Sequence, residues 1–377
     1  MNGSADHRRT GAAPQSARQP WEAPPKVPAL PWRTRWSIRL ERARRWPAWL
    51  YYLPIVAWIL LLGLRHLRPT VFTAANSALD AGGVVGEHKF QALAPLQHNA
   101  PDLAAVCTRI AAGDGPLRHT AALRFAEVHG YPVVLKPDIG QRGRGVFIAR
   151  NAAAVHDYLA RFNGAVIAQQ YIDGDEFGIF IARMPDQPQV QVLSIVHKTF
   201  PQVTGDGQRS LQQLILDDAR ARLIADTLFA RWAEDLQRVP DSGESIALVE
   251  IGAHCRGSLF LDATARVTPA LVATLTRLAD AVPGYAFGRL DLRAPSIEHL
   301  QRGDGLRVLE LNGVTAESAH IYHPGTPLLV GYAAMFRQWA LAFRVGAARA
   351  RDGAPVTGPV ELLRRFVTDL ARARQWF

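Results

Sequence analysis

Between residues 130 and 150, two short apolar runs (133–135 and 146–149) bracket a polar, glycine-rich turn, which predicts strand, flexible loop and strand. Residues 192–199 alternate weakly and close on Lys198. Two later stretches alternate cleanly. Residues 287–293 put Arg289, Asp291 and Arg293 on one face of a strand, and residues 308–312 put Glu310 and Asn312 on one face of another. Helical patterns are predicted over 87–96, 103–112 and 120–129, the last closed by Gly130. Further helices are predicted from Ser210, over 269–281, over 328–350 with Trp339 and Phe343, and over the Arg-rich 360–377. Residues 73–86 are polar and rich in turn formers.

A chain of 377 residues that is 48% hydrophobic can bury a sizeable core, as one large or two small domains. Its net charge of +10 would suggest nucleic acid as a partner. Much of the excess lies beside an apolar run and at the C-terminus, with no nucleic-acid motif, so no such partner is expected. Cys107 and Cys255 match no zinc or redox spacing and are expected to be free thiols. Among the 43 Lys+Arg residues, the only lysines are Lys26, Lys89, Lys136 and Lys198. Where arginine serves for positive charge in general, a retained lysine marks a site that needs a compact ammonium. Lys26 falls in a Pro-rich tail and is incidental. Lys136 closes the first strand of the 130–150 hairpin, whose turn carries Gly140, Gly143 and Gly145 together with Arg142 and Arg144. Glycines there can take φ > 0 and leave amides pointing at a ligand. The hairpin suits a triphosphate; an ordinary glycine turn with solvated arginines is the alternative.

Tyr131-Pro132-Val133-Val134-Leu135-Lys136-Pro137 and the loop after it resemble the nucleotide-gripping hairpin of the ATP-grasp superfamily, with the D-alanine–D-alanine ligase and carboxylate–amine ligase branches nearest. Four further stretches follow in the family's order, over roughly residues 86–324. The resemblance implies an α+β ATP-grasp fold in which two subdomains grip ATP. Lys89 stands where the family has its first phosphate-binding lysine, although a solvated helix lysine is the other reading. Residues 166–178 resemble the hinge strand and turn, which implies adenine contacts by the backbone near Gln170 and Ile172 and ribose contacts by Glu176. Gln169 replaces a common Glu, and its change is expected to be mild. Lys198 is implied as a third phosphate contact, with Arg209 behind it after the Gly205-Asp206-Gly207 turn, itself readable as a simple turn and helix start. Arg256 faces the substrate or is a loop arginine.

Asp291, Glu310 and Asn312 are hard oxygen donors, suited to Mg²⁺ (or Mn²⁺) shared with phosphates, and the family binds its metals with these residue types in this order. Arg289 matches the arginine that stabilises charge on the reacting carboxyl. The loop from Asn312 to Pro324 keeps the length, the His and the final Pro of the corresponding D-alanine–D-alanine ligase loop. It has Ile321 for a small hydroxyl residue and Glu317 for an apolar one, which argues against D-alanine as acceptor.

Residues 46–64 are uncharged, just long enough to span a bilayer, with Trp46, Trp49, Tyr51 and Tyr52 as candidate interfacial anchors. Arg39, Arg42, Arg44 and Arg45 precede the run and Arg65 and Arg68 follow it. The positive-inside rule would leave an ATP site outside the cell. That conflict goes away if the segment turns back at Pro54 or lies in the interface. A soluble core helix is the other reading. The expected organisation is a disordered tail (1–32), a basic and apolar membrane-associated segment (33–70), an N-terminal part of the ATP-grasp region (71–130), a catalytic core (131–345) and a basic C-terminal helix (346–377). No secretory signal fits the N-terminus. Tail and apolar segment stand where the family's preceding α/β domain is usual.

The expected activity is ADP-forming ligation of a small-molecule carboxylate to an amine through an acyl phosphate, at the cytoplasmic face of a membrane. A phosphotransferase or thiol ligase on the same scaffold, or a non-catalytic nucleotide-binding membrane protein, are the alternatives.

Overall fold

The computed structural model describes residues 48–375 apart from 87, 114, 141, 142, 144 and 250–257. The tail, the arginines before residue 46, Trp46, Arg142, Arg144, Cys255 and Arg256 lie outside the described residues. In chain order the elements are α1 (Ala48–Arg65), α2 (Lys89–Asn99), β1 (Cys107–Ile110), α3 (Pro116–His129), β2 (Val133–Pro137), β3 (Phe147–Ala149), α4 (Ala152–Arg161), β4 (Val166–Gln170), β5 (Asp175–Ala182), β6 (Gln191–Thr199) and β7 (Gln202–Thr204). They continue with α5 (Leu211–Asp217), α6 (Ala225–Arg231), β8 (Ser245–Ala247), β9 (Leu259–Asp262), α7 (Pro269–Ala281), β10 (Phe287–Ala294), α8 (Ile297–Arg302), β11 (Arg307–Asn312), α9 (Leu328–Arg351) and α10 (Pro359–Gln375).

The chain divides into two units, a larger one of Pro47–Lys198 with Phe260–Phe377 and a smaller one built on Thr199–Leu259. In the larger unit one sheet runs β1-β4-β2-β3 and the other β11-β10-β5-β6-β9. Both faces of the second sheet are covered. Phe177, Ile179 and Ile181 of β5 enter a core with Leu271, Leu275 and Leu278 of α7. Phe180 and Ala182 enter another with Trp339, Ala342 and Phe343 of α9. A strand buried on both sides reads as a continuous apolar run, and β5 does so.

Residues 103–112 are not the predicted helix. A 3₁₀ turn, Pro101–Leu103, leads into β1, which pairs antiparallel with β4 from Cys107 opposite Gln169 to Ile110 opposite Val166. The alanines there suggest a helix, but Val106, Thr108 and Ile110 fit a pleated surface and the waiting sheet edge decides. No turn-back occurs at Pro54 either, since α1 runs straight through it. Ile55 and Leu62, one heptad apart, are 2% and 5% exposed in the cluster that holds Trp339 and Phe343. Trp58 Nε1 donates to the Phe336 carbonyl at 3.0 Å, and the Tyr332 hydroxyl to that of Tyr51 at 3.0 Å. Leu53, Val56, Leu60, Leu61 and Leu64 line the opposite, exposed face. No described helix is long and apolar enough to cross a membrane.

The smaller unit packs Leu211, Leu214, Leu228, Phe229, Trp232, Ile246 and Leu248 into its own core beside the β7–β8 pair. Ser210 and Gln213 form a capping box at the start of α5. Asp206 accepts from the Gln208 and Arg209 amides, and Arg209 binds back to Asp206 at 2.6 Å and to Asp217 at 2.7 Å. Arg209 therefore closes the Gly205–Gly207 turn, as the simple turn reading has it.

Candidate active site

Three of the four lysines converge in the larger unit. Lys136 ends β2, is 6% exposed, and donates to Gln169 Oε1 at 3.0 Å and to the Leu309 carbonyl at 3.0 Å. Lys89 opens α2 and lies 3.2 Å from Glu310 Oε1, with a further bond to the Gly140 carbonyl. Lys198 on β6 lies 3.0 Å from Glu176 and 3.2 Å from Asp291. Arg289 reaches Asp291 through both Nε and Nη2, at 3.0 and 3.1 Å. Arg293 Nη2 lies 3.3 Å from Glu176. Cations outnumber carboxylates in this buried cluster, and a surplus of that sign suits a polyanion.

Strand register accounts for the grouping. Asp291 stands opposite Glu310 and Arg289 opposite Asn312 across β10–β11, while Glu176 stands opposite Lys198 across β5–β6. Gly178 faces Asp291 across β5–β10, and a Cβ on it would meet Asp291 Oδ1 at 3.2 Å and Lys198 Cε at 3.6 Å. Its missing side chain leaves the space in which these charges meet. At the grip, Gly145 has φ +69° and a Cβ there would lie 2.7 Å from Pro137 Cγ, so only glycine lets the returning strand pass β2 so closely.

Charge balance follows from burial and pairing. Burial alone would raise the Asp291 carboxyl, but Arg289 and Lys198 overcome it and hold it at about 2. Burial likewise works against ionised Glu310, and Lys89 and Lys136 outweigh it, so Glu310 sits below the ordinary carboxylate range. Burial pulls Lys198 down, yet Asp291 and Glu176 carry it above its usual value. Lys136 differs: burial lowers it, and although Glu310 pulls the other way the net shift is downward. Its nearest partner, Gln169, carries no charge.

The candidate metal residues come together as two carboxylates and an amide. Asn312 Nδ2 lies 3.4 Å from Asp291 Oδ2, so the amide would have to rotate to offer Oδ1 to a cation. Among the described residues no group of three His, Cys, Asp or Glu side chains could hold a metal. The donor set of Asp291, Glu310 and Asn312 nevertheless fits a hard divalent ion, because all its donors are oxygens and adjacent cations hold both carboxylates ionised.

The hinge is partly engaged within the protein. The Gln170 N–H donates to the Val106 carbonyl at 2.8 Å and the Ile172 carbonyl accepts from Arg293 at 2.6 Å. Two roles escape a reading of the sequence, which names Gln169 only as a mild replacement. Gln169 orients Lys136, and Asp138, 2% exposed, accepts from the Phe90 N–H at 3.1 Å and pairs with His88 and Arg109 at 3.2 and 3.0 Å. The Asp138 carbonyl also accepts from the Lys89 N–H at 3.0 Å, which ties the start of α2 to the grip. Only its place two positions after Lys136 hints at this.

Residues 313–323 lie against α9 and α1. Gln338 clamps them, accepting from the Ser318 N–H at 3.0 Å and donating to the Ala316 carbonyl at 2.7 Å. Ile321 is buried in the apolar cluster. The Glu317 carboxylate accepts from the hydroxyls of both Tyr322 and Tyr52, the latter on α1. A cavity of about 480 Å³ opens beside this loop, lined in part by Gln191, Leu193, His320, Arg337 and Arg344.

No family model matches the chain. It is 24% identical over 220 residues to a cyanophycin synthetase of Geminocystis herdmanii, covering 52% of this chain and 24% of that protein. It is 25% identical over 218 residues to the glutathione biosynthesis bifunctional protein GshAB of Desulfotalea psychrophila, covering 52% of this chain and 27% of that one. The chain resembles ATP-grasp ligases. It spans about a quarter of the length of these curated relatives. Among solved structures, a D-alanine–D-alanine ligase from Bacillus anthracis complexed with ATP overlaps 71% of this chain and 68% of its own at 15% identity, with a TM-score of 0.38. D-cycloserine synthetase DcsG overlaps 68% and 70%, also at 15% identity and a TM-score of 0.38.

Proposed function

We propose that this protein is an ATP-dependent, ADP-forming carboxylate–amine ligase. The observation that carries the reading is the convergence of Lys89, Lys136 and Lys198, the lysines of an arginine-using chain, on Asp291 and Glu310. Lys89, Lys136 and Lys198 bind phosphate oxygens, while Gly140, Gly143 and Gly145 let the grip loop cover them. The hinge at Gln170 and Ile172 takes the adenine edge and Glu176 the ribose hydroxyls, for which Glu176 gives up contacts to Lys198 and Arg293. Asp291, Glu310 and Asn312 hold Mg²⁺ or Mn²⁺, which when bound neutralises phosphate charge.

Arg289 stabilises the carboxylate as it attacks the γ-phosphate, breaking the bond to the β-phosphate so that ADP leaves and an acyl phosphate forms, and Lys198 steadies the oxygens in transfer. The amine then attacks the acyl phosphate and releases phosphate. Glu317 and Ile321 in the loop that positions the second substrate argue against D-alanine as acceptor, since neither can donate to a small carboxylate.

The exposed apolar face of α1 supports a second part of the reading, attachment to a membrane surface with the site on the cytoplasmic side. α10 adds exposed Val360, Leu363, Phe366 and Val367 beside Arg364 and Arg365.

The test is ADP release from ATP and Mg²⁺ with pooled acids and amines. Glu310→Gln and Asp291→Asn are expected to abolish turnover with the fold intact, and Lys136→Ala to weaken ATP binding itself. Normal turnover in all three variants sinks the reading. Robust dipeptide synthesis from D-alanine alone overturns the acceptor argument.

A further inference from the structure

The Glu317 carboxylate, near the candidate active site, is held by two phenols, Tyr52 and Tyr322, and not by any described cation at ion-pair distance. The nearby guanidinium, Arg289, spends its Nε and Nη2 on Asp291 and turns only Nη1 to the Glu317 carbonyl, at 3.5 Å. Partly buried carboxylates in proteins are ordinarily paired. Here two tyrosine hydroxyls take that role, and further aromatic rings pack against them. Tyr51 packs edge-on against Tyr52 at 5.2 Å and stacks on Tyr332 at 5.1 Å, and Phe260 lies 6.4 Å from Tyr322. A carboxylate held by two phenols, with further aromatic rings packed against them, suits a substituted ammonium, which gains the ion pair and aromatic neighbours.

Burial, with the Glu317 charge adding to it, raises the phenols of Tyr52 and Tyr322 above their ordinary values, so both remain neutral donors across the working pH range. The carboxylate is thus held in place by two neutral donors.

We propose that Glu317, Tyr52 and Tyr322 form a cation subsite that selects an acceptor carrying a positively charged nitrogen in addition to its reacting amine. The inference rests on the ligase reading for the word acceptor, but the subsite stands on its own geometry. The two nitrogens must be distinct. An amine attacks an acyl phosphate only when neutral, whereas the nitrogen bound to Glu317 must be charged. A diamine or a basic amino acid meets both demands. A small zwitterion such as D-alanine, whose carboxylate would come to lie against Glu317, does not.

The experiment is titration of the full-length protein with 1,4-diaminobutane and, separately, its neutral isostere 1,4-butanediol, at matched ionic strength. Diaminobutane is expected to bind at least tenfold tighter than butanediol, and Glu317→Gln to remove that difference while ATP affinity stays within twofold. Tyr322→Phe keeps the ring and deletes one O–H, and is expected to cost two- to fivefold. It stands in for Glu317→Gln if that variant does not melt cooperatively. Equal binding of the two probes, or unchanged diaminobutane affinity in the variants, overturns the cation subsite. ATP titrated alone reports on the other reading: a protein that binds ATP but does not discriminate the probes loses only this inference. One that binds diaminobutane through Glu317 but not ATP keeps the subsite and loses the ligase.

Discussion

A single neutral side chain sets the character of the grip lysine. Lys136 is buried and its closest acceptors, Gln169 Oε1 and the Leu309 carbonyl, are both uncharged. Desolvation therefore lowers its pKa despite Glu310 nearby. An ammonium held only by dipoles stays available to a phosphate, whereas one locked to a carboxylate must first be released. Gln169→Glu is expected to raise the Lys136 pKa, move the alkaline loss of ATP binding to higher pH, and weaken binding several-fold at neutral pH. Calorimetric ATP affinities from pH 7 to pH 10 check this, and superimposable profiles count against it. Asp291 supplies the opposite case. Its carboxyl is held at about 2, below its unfolded value of about 4, so its stabilising contribution is complete above pH 4 and disappears as pH falls toward 2. Asp291→Asn should flatten that part of the acid-unfolding curve, measured by circular dichroism, because the variant has no proton to take up there.

At the scale of elements, positions within strands follow from alternation alone. The faces of β10 and β11 bring Asp291, Glu310 and Asn312 together because side chains alternate and the two strands pair in register. β1 could not be read that way. An alanine-rich stretch satisfies a helix as well as an edge strand, and only the partner β4, distant in the chain, decides between them. Gln169 was equally hidden, because its bond to Lys136 depends on which strand lies beside β2. The same holds for Tyr52: nothing local to α1 tells that its hydroxyl meets Glu317, a long-range contact. Helix α2 gives a test at this scale. Its entry is fixed by Asp138, whose carboxylate takes the Phe90 N–H, His88 and Arg109. Asp138→Asn keeps the shape but loses the charge-assisted bonds, each worth about 1.5–3 kcal/mol. The expectation is a thermal midpoint lower by several degrees and, because Lys89 is carried on the same turn, weaker ATP binding. A variant that loses stability and keeps full ATP affinity would separate Lys89 from phosphate.

For the molecule as a whole, the decisive asymmetry is in α1. One face, with Ile55 and Leu62, is part of the core beneath α9; the other, with Leu60 at 63% and Leu64 at 74% exposure, meets nothing among the described residues. A helix that only completed a soluble core would carry polar residues on its outer face. This one carries none from Leu53 to Leu64. The docked face also explains why deleting the helix would be a poor test, since removing it uncovers Trp339 and Phe343 and gives aggregation whatever its normal surroundings. The informative change leaves the core face alone. Leu53→Gln, Leu60→Gln and Leu64→Gln together remove apolar surface worth roughly 1.5–3 kcal/mol per side chain when fully buried. Even partial insertion then predicts a loss of vesicle affinity of two orders of magnitude or more. Full-length protein is expected to sediment with anionic phospholipid vesicles, and the triple variant to remain in the supernatant with an unchanged melting temperature and ATP affinity. Sedimentation undiminished by the three substitutions would assign membrane contact elsewhere, with the basic, apolar surface of α10 next to be tested. Failure of the unaltered protein to sediment would make α1 a core helix whose outer face has another use.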